Sequence, residues 1–200
     1  MPSPITFNVE DYFSEFANES SMAEAARFKP IPSGRYKGQV TKYEGRYFEE
    51  KDSKNGGKYW SAVFSDSSEV KPEWRKGVQY TAELSNGEDK KLTTVRIEAS
   101  WEDKRNATTG KLDQLFSRWD QLTRAVFPNY KAGKDAQKPL GEVTTALMQF
   151  PVAVNITESF KVPAIDGSTK WKTASNDEEA KEYRAAGYDV RNFVQGIGKL

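Results

Sequence analysis

The sequence predicts a mainly β protein with minor α content, organised as a small Greek-key barrel. Three observations support this prediction. Short segments of alternating residue type recur along the chain, as in half-buried strands. Turn-forming stretches such as Asn55-Gly56-Gly57 separate several of them. Only residues 112–127 repeat their apolar residues clearly with the spacing of a helix.

The predicted first strand covers residues 36–43. Pro30 and Pro32 favour an extended lead-in over residues 28–33, and Gly34 provides the turn into the strand. One predicted face carries Tyr36, Gly38 and Val40, and the other carries Lys37, Gln39, Thr41 and Tyr43. The second face combines aromatic and basic groups, which suits a polyanion with exposed bases. An ordinary hairpin with solvated lysines remains an open alternative.

The remaining elements follow from the same patterns. Further strands are predicted over residues 58–65, 78–84, 92–99, 150–157 and 188–197, and a second short helix over 139–148. In the strand at 58–65 we expect Trp60 to pack inward and Tyr59 to face outward. The last two strands are separated by a long excursion, Ser159–Gly187, which includes a short charged helix and has no derivable role.

This order of elements fits an oligonucleotide-binding (OB-fold-like) barrel: five strands in a Greek key, with a helix between strands 3 and 4. We therefore divide the chain into an N-terminal arm, residues 1–27, and a nucleic-acid-binding domain, residues 28–200. The arm begins with alternating apolar residues and turns towards a short acidic helix. A partly disordered terminus is the alternative for residues 1–27.

The composition excludes several kinds of chemistry. The 200 residues include no Cys and no His, so thiol catalysis, disulfides and the commonest metal ligands and general bases are absent. No phosphate-binding loop is present, because the Gly-Lys pairs lack the upstream glycine and the following Ser or Thr. We expect no enzyme activity, no cofactor and no metal site.

Charge is unevenly distributed along the sequence. The formal net charge is only +1, which counts against coating duplex DNA by charge alone. Residues 1–30 hold five acids and two bases, whereas residues 34–65 hold seven bases and four acids. A single-strand binder depends less on net charge, because stacking on aromatic side chains supplies much of the affinity.

The candidate nucleic-acid contacts are the aromatic and basic residues of the early strands and their connecting loops. They are Lys37, Tyr43, Arg46, Tyr47, Phe48, Lys58, Tyr59, Trp74, Arg75, Arg96, Lys104 and Arg105. In the loop before residue 78, Trp74 is followed by two bases, which favours base stacking with phosphate contact. Covering one end of the barrel is an alternative role for Trp74.

A family resemblance supports this interpretation. The run Phe28–Tyr36, the helix 112–127 and the pair of segments Phe150–Val154 and Asn192–Val194 resemble those of phage-encoded OB-fold single-stranded DNA-binding proteins. The resemblance implies a soluble, cytoplasmic protein that binds single-stranded DNA in phage-type replication or recombination. It also implies replication or recombination proteins as partners. No apolar run approaches membrane-spanning length, so we expect no membrane association. We expect the arm to pack either on the main fold or on a neighbouring subunit, and the second arrangement would form a homo-oligomer.

The sequence departs from that family in two respects, of which the first is the long excursion Ser159–Gly187 and the second is its C-terminal end. Many such proteins end in an acidic tail that recruits partners, whereas this sequence ends Gly196-Ile197-Gly198-Lys199-Leu200. Partner recruitment would then use another surface, such as the acidic arm. Two further functions stay open: a virion or assembly structural protein using the same barrel as a docking module, and a strand-annealing mediator.

Overall fold

The computed structural model describes residues 30–52, 58–63, 70–87, 90–102, 113–131, 135–165 and 167–200. The predicted arm, residues 1–27, and the loop residues Lys104 and Arg105 lie outside these ranges. The elements are β1 (Gly34–Asp52), β2 (Lys58–Val63), β3 (Arg75–Ser85), β4 (Lys91–Ala99), α1 (Gln114–Val126), α2 (Leu140–Gln149), β5 (Val152–Pro163), β6 (Thr169–Thr173), α3 (Asp177–Ala185) and β7 (Val190–Lys199).

The strands form one antiparallel sheet in the order β4-β3-β1-β5-β6, with β2 paired to β1 and β7 paired to β5. The prediction of a mainly β protein is confirmed. The sequence analysis located six strand segments and predicted a barrel of five strands, whereas the described residues contain seven strands. In these ranges β4 pairs only with β3 and β7 only with β5, so the sheet is open between β4 and β7.

Strand β1 is the centre of the sheet. Its 19 residues pair with β3 along most of their length, with β5 at one end and with β2 at the other. The sequence predicted that this strand ends at Tyr43, which is wrong. Tyr47 and Phe48 are strand residues with partners on both sides, in β2 and β3.

A β-bulge at Thr41 reverses the predicted alternation of β1. The register shifts between Val40 and Lys42, so that Val40 lies opposite Ala82 and Tyr43 lies opposite Tyr80. Ala82 and Tyr80 are two residues apart in β3 and therefore share a face. Tyr43 consequently shares the face of Val40, not the face of Lys37 as predicted, because an extra residue in one strand inverts the side-chain pattern beyond it.

The main core lies between the sheet and the two helices that follow β4. Helix α1 begins at its N-cap Asp113, whose Oδ1 accepts a hydrogen bond from the Phe116 amide at 3.0 Å. Its apolar stripe is buried, including Trp119 and Leu122. This confirms the predicted helix and core stripe over the described residues, while residue 112, where the prediction began, lies outside the described ranges. Among the described helices, none combines the length and apolar character required to cross a bilayer.

The excursion between β5 and β7 has a small core of its own. Phe160 and Val162 of β5 pack against Ala180 and Tyr183 of α3. The Arg184 guanidinium bridges α3 to the buried Glu158 carboxylate of β5, donating from both Nε, at 3.2 Å, and Nη2. The predicted charged helix is therefore present, and it fixes one face of the extended β5–β6 hairpin.

Candidate nucleic-acid interface

Several of the predicted contact residues are exposed as expected. Tyr43, Tyr59 and Arg96 are exposed, and Lys58 is exposed but paired with Glu50 at 2.6 Å. Three more are half-buried: Lys37, Tyr47 and Trp74. The expectation that Tyr59 faces outward is confirmed, because 48% of it is exposed.

Three predicted contact residues are buried, which corrects the expectation that their side chains are exposed. Arg46 is 3% exposed, and Phe48 and Arg75 are 0% exposed. Arg46 pairs with Glu44. Phe48 packs so closely on Gly77 that a side chain there would lie 2.5 Å from the ring. The three side chains are packed inside the protein by these contacts and are not accessible to a nucleic acid.

Arg75 occupies a buried position between β3, α1 and β2. Its Nη1 lies 2.5 Å from Asp113 Oδ2, its Nη2 donates to the Glu102 carbonyl, and its guanidinium carbon lies 5.3 Å from the centre of the Trp60 ring. The guanidinium thus holds the N-cap residue of α1 against the sheet. The aromatic-basic loop that suggested a phosphate contact contributes its arginine to the core.

The exposed predicted residues do not form a single surface. Tyr47 and Trp74 come together, with ring centres 6.3 Å apart, and Lys71 Nζ lies 5.6 Å from the Trp74 ring. In the strand register, Tyr43 and Tyr47 lie on one face of the sheet, whereas Lys37 and Arg96 lie on the other. The bulge at Thr41 accounts for this division.

A cleft of about 500 Å³ lies where the sheet is open, and we call it the β4–β7 cleft. Its walls are residues Thr93–Glu98 of β4 and Val190–Val194 of β7. Its other lining residues are Pro30, Trp60, Gln114, Leu115 and Arg118. Of the predicted contacts that lie within the described ranges, only Arg96 lines it. The cleft therefore combines two strand edges with the first turns of α1.

The charges in this cleft are predominantly positive. Arg96, Arg118 and Arg191 line it together with one acid, Glu98. Arg118 Nη2 donates to the Val194 carbonyl at 2.5 Å, which ties α1 to β7, and burial lowers the pKa of this guanidinium. Burial raises the pKa of Glu98, although the charges of Arg46 and Arg96 oppose this shift. The cleft favours an anionic ligand over a cationic one.

Beside this cleft, Arg191 lies between two exposed aromatic rings. Its guanidinium carbon is 3.9 Å from the centre of the Trp171 ring and 4.4 Å from that of Phe193. We call this group the Trp171–Arg191–Phe193 stack. Trp171 is 39% and Phe193 42% exposed. Two of its members, Arg191 and Phe193, also line the β4–β7 cleft.

The register of β5 with its two neighbours explains how the stack forms. Trp171 of β6 lies opposite Lys161 of β5, while Arg191 and Phe193 of β7 lie opposite Ser159 and Thr157. These β5 residues alternate along one strand, so all the side chains share a face. The exposed Lys161 adds a second cation beside Trp171.

The opposite face of the hairpin is held by α3. Lys172, the neighbour of Trp171 in β6, donates from Nζ to Glu179 Oε1 at 2.6 Å and to the Tyr183 hydroxyl at 2.9 Å. The hydrogen bond from Lys172, together with one that the Tyr183 hydroxyl donates to Glu179 Oε1, lowers the pKa of Glu179 to about 2. A salt bridge behind β6 thereby fixes the strand that carries Trp171.

The sequence analysis missed Trp171, Arg191 and Phe193. The run Thr169-Lys170-Trp171-Lys172-Thr173 alternates basic and other residues, as an exposed strand does. This alternation could have predicted the strand β6 within the excursion. Arg191 and Phe193 were inside a predicted strand, but their proximity to Trp171 depends on pairing through β5. Searches for related proteins found no matching protein-family model, curated protein or solved structure.

Proposed function

We propose that this protein binds single-stranded DNA with little sequence preference, in phage-type replication or recombination. The Trp171–Arg191–Phe193 stack, open to solvent on the wall of a cleft rich in arginine, is the observation that carries the proposal. Exposed aromatic rings beside cations are what unpaired bases and their phosphates require.

Stacking supplies the first part of the proposed affinity. Every base has an aromatic face, so a ring that is two-fifths exposed can stack on any of them, which makes such binding tolerant of sequence. Each stacked base contributes about 1–3 kcal/mol by alanine substitution. Arg191 polarises both rings and adds a cation within reach of the connecting phosphate.

The β4–β7 cleft supplies the second part of the proposed affinity. Its three arginines face one carboxylate, although the whole chain is nearly neutral. Arginine is suited to phosphate because its planar guanidinium presents paired donors in a fixed geometry. By register, Lys37 and Arg96 lie on the same face of the sheet as the stack, so a strand leaving the cleft would meet further basic groups.

The succession of elements also supports the proposal. We infer that β1, β3, β4, β5 and β7 correspond to the five strands of an OB-type barrel, with α1 and α2 inserted between its third and fourth strands. The β1–β3–β4 meander, the β1–β5 pair and the β5–β7 pair fit that order. Under this correspondence the β4–β7 cleft is the unclosed seam of the barrel, and β2, β6 and α3 are additions.

Fluorescence anisotropy with labelled oligo-dT, titrated at several salt concentrations, tests the proposal. We expect binding that weakens as salt rises, because each neutralised phosphate releases counterions. Trp171→Ala and Phe193→Ala should each raise the Kd roughly fivefold to 150-fold, corresponding to about 1–3 kcal/mol of stacking per base. Phe150→Ala is a matched control, since Phe150 is an exposed aromatic residue outside the stack and the cleft lining.

Two results would count against the proposal, and a third would refine it. Absence of binding at low salt would overturn it and would favour a structural role in a virion or assembly. Binding that is equally affected by Phe150→Ala would separate the activity from the stack. Acceleration of strand pairing in addition to binding would identify an annealing mediator that uses the same surface.

A further inference from the structure

The chain itself leads into the β4–β7 cleft at its N-terminal side. Pro30 lines the cleft, and the next residue, Ile31, is held by the side chain of Asn192 of β7. The Ile31 amide donates to Asn192 Oδ1 at 2.7 Å, and Asn192 Nδ2 donates to the Ile31 carbonyl at 2.8 Å. This two-way clasp fixes the point from which residues 1–29 depart.

The sequence that departs from this point has the composition of a ligand for the cleft. Residues 7–16 contain Glu10, Asp11 and Glu15 and no base. Their aromatic residues are Phe7, Tyr12, Phe13 and Phe16. The acids are complementary in charge to Arg96, Arg118 and Arg191 of the cleft. The aromatic rings of residues 7–16 could stack on the exposed rings beside the cleft, as bases would.

We propose that residues 7–16 bind in the β4–β7 cleft of the same chain when nucleic acid is absent, and that single-stranded DNA displaces them. The displacement rests on the proposed function, whereas the docking does not. Residues 17–29 form a tether on the order of 40 Å long when extended, which exceeds the roughly 20 Å of a wall five or six residues long. A tethered segment has an effective concentration in the millimolar range, so weak contacts suffice.

Docking can be measured without DNA in the full chain. The sequence has no cysteine, so Ser14→Cys gives a single attachment point for bimane, a fluorophore that tryptophan quenches on contact. Trp60 lines the cleft, so we expect Trp60→Phe to raise the emission of the label at position 14 at least twofold. The same label at Asn86→Cys, in the exposed turn after β3, is the control and should not respond to Trp60→Phe.

Emission at position 14 that does not respond to Trp60→Phe overturns the proposal. This result is independent of DNA binding, so it is distinguishable from failure of the proposed function. Where docking is seen and oligo-dT binds, adding oligo-dT should relieve the quenching. Quenching that persists with the oligonucleotide bound would overturn displacement.

If residues 7–16 compete with oligo-dT for the cleft, removing their charges should change the affinity for oligo-dT. Replacing the three acids together, Glu10→Gln with Asp11→Asn and Glu15→Gln, should tighten oligo-dT binding about tenfold at low salt, because three exposed ion pairs are lost from the competing segment. The matched control carries the same change in net charge on exposed acids elsewhere, Glu73→Gln with Glu178→Gln and Glu182→Gln. Equal tightening in both variants would show a general charge effect and would refute competition.

Discussion

Replacement of Arg75 by methionine distinguishes a core arginine from a DNA-binding one. The side chain is fully buried, and its Nη1 lies 2.5 Å from Asp113 Oδ2. Methionine preserves much of the aliphatic volume but leaves the Asp113 carboxylate and the Glu102 carbonyl without their cationic partner. Breaking a buried ion pair by removing one partner costs about 3–5 kcal/mol. Since the Asp113 side chain is 15% exposed, we expect the lower end, about 3 kcal/mol.

Urea denaturation followed by tryptophan fluorescence measures this effect. With a denaturant slope of about 2 kcal/mol per molar, the midpoint should fall by about 1.5 M. The control is Lys76→Met, which removes a charge from the adjacent, exposed residue and should leave the midpoint nearly unchanged. An unchanged midpoint for Arg75→Met, together with weaker oligonucleotide binding, would refute the buried assignment and restore the surface role.

Two further results are expected. Trp119→Ala should lower the free energy of unfolding by about 3–5 kcal/mol and the Tm by roughly 10 °C, because the ring is 1% exposed and its removal leaves a cavity; a thermal melt with an unchanged Tm would contradict the core assignment. Burial raises the pKa of Glu98, so its charge opposes folding at neutral pH and that penalty fades as pH falls towards the raised value. Affinity for oligo-dT should rise over the same pH range, and Glu98→Gln should bind more tightly at pH 7 and lose this pH dependence. A pH profile of the variant that parallels the unmodified protein would show that another group is responsible.

Features encoded by local pattern could be predicted from the sequence. The helix α1 follows from the spacing of Leu115, Phe116, Trp119 and Leu122, which places the apolar residues on one side without reference to any distant partner. Most strands were located for the same reason, since alternation is visible within a few residues. Alternation placed Tyr59 and Trp60 on opposite faces, but it did not decide which of the two faces outward.

The face on which a residue lies was less predictable, because it depends on pairing partners far away in sequence. A single extra residue at Thr41 moves Tyr43 to the core-side face, and no local pattern marks that bulge. Arg46 and Arg75 are basic residues in strands, which normally indicates exposure, yet each is buried with an acidic partner, Glu44 or Asp113. Such pairing is visible only in three dimensions.

The excursion between the last two long strands supplies one of the two rings of the proposed site, Trp171 in β6. Trp171 and Arg191 are separated by a helix in the sequence, and they meet because β5 pairs with β6 on one side and β7 on the other. The face behind them is fixed by the Phe160–Tyr183 contact and the bridge from Arg184 to Glu158. Rings held in this way lose little conformational freedom when a base stacks on them, so more of the stacking energy appears as affinity. The same rigidity keeps the stack in one position beside the cleft. This arrangement is needed if bases and the acidic residues 7–16 compete for one surface.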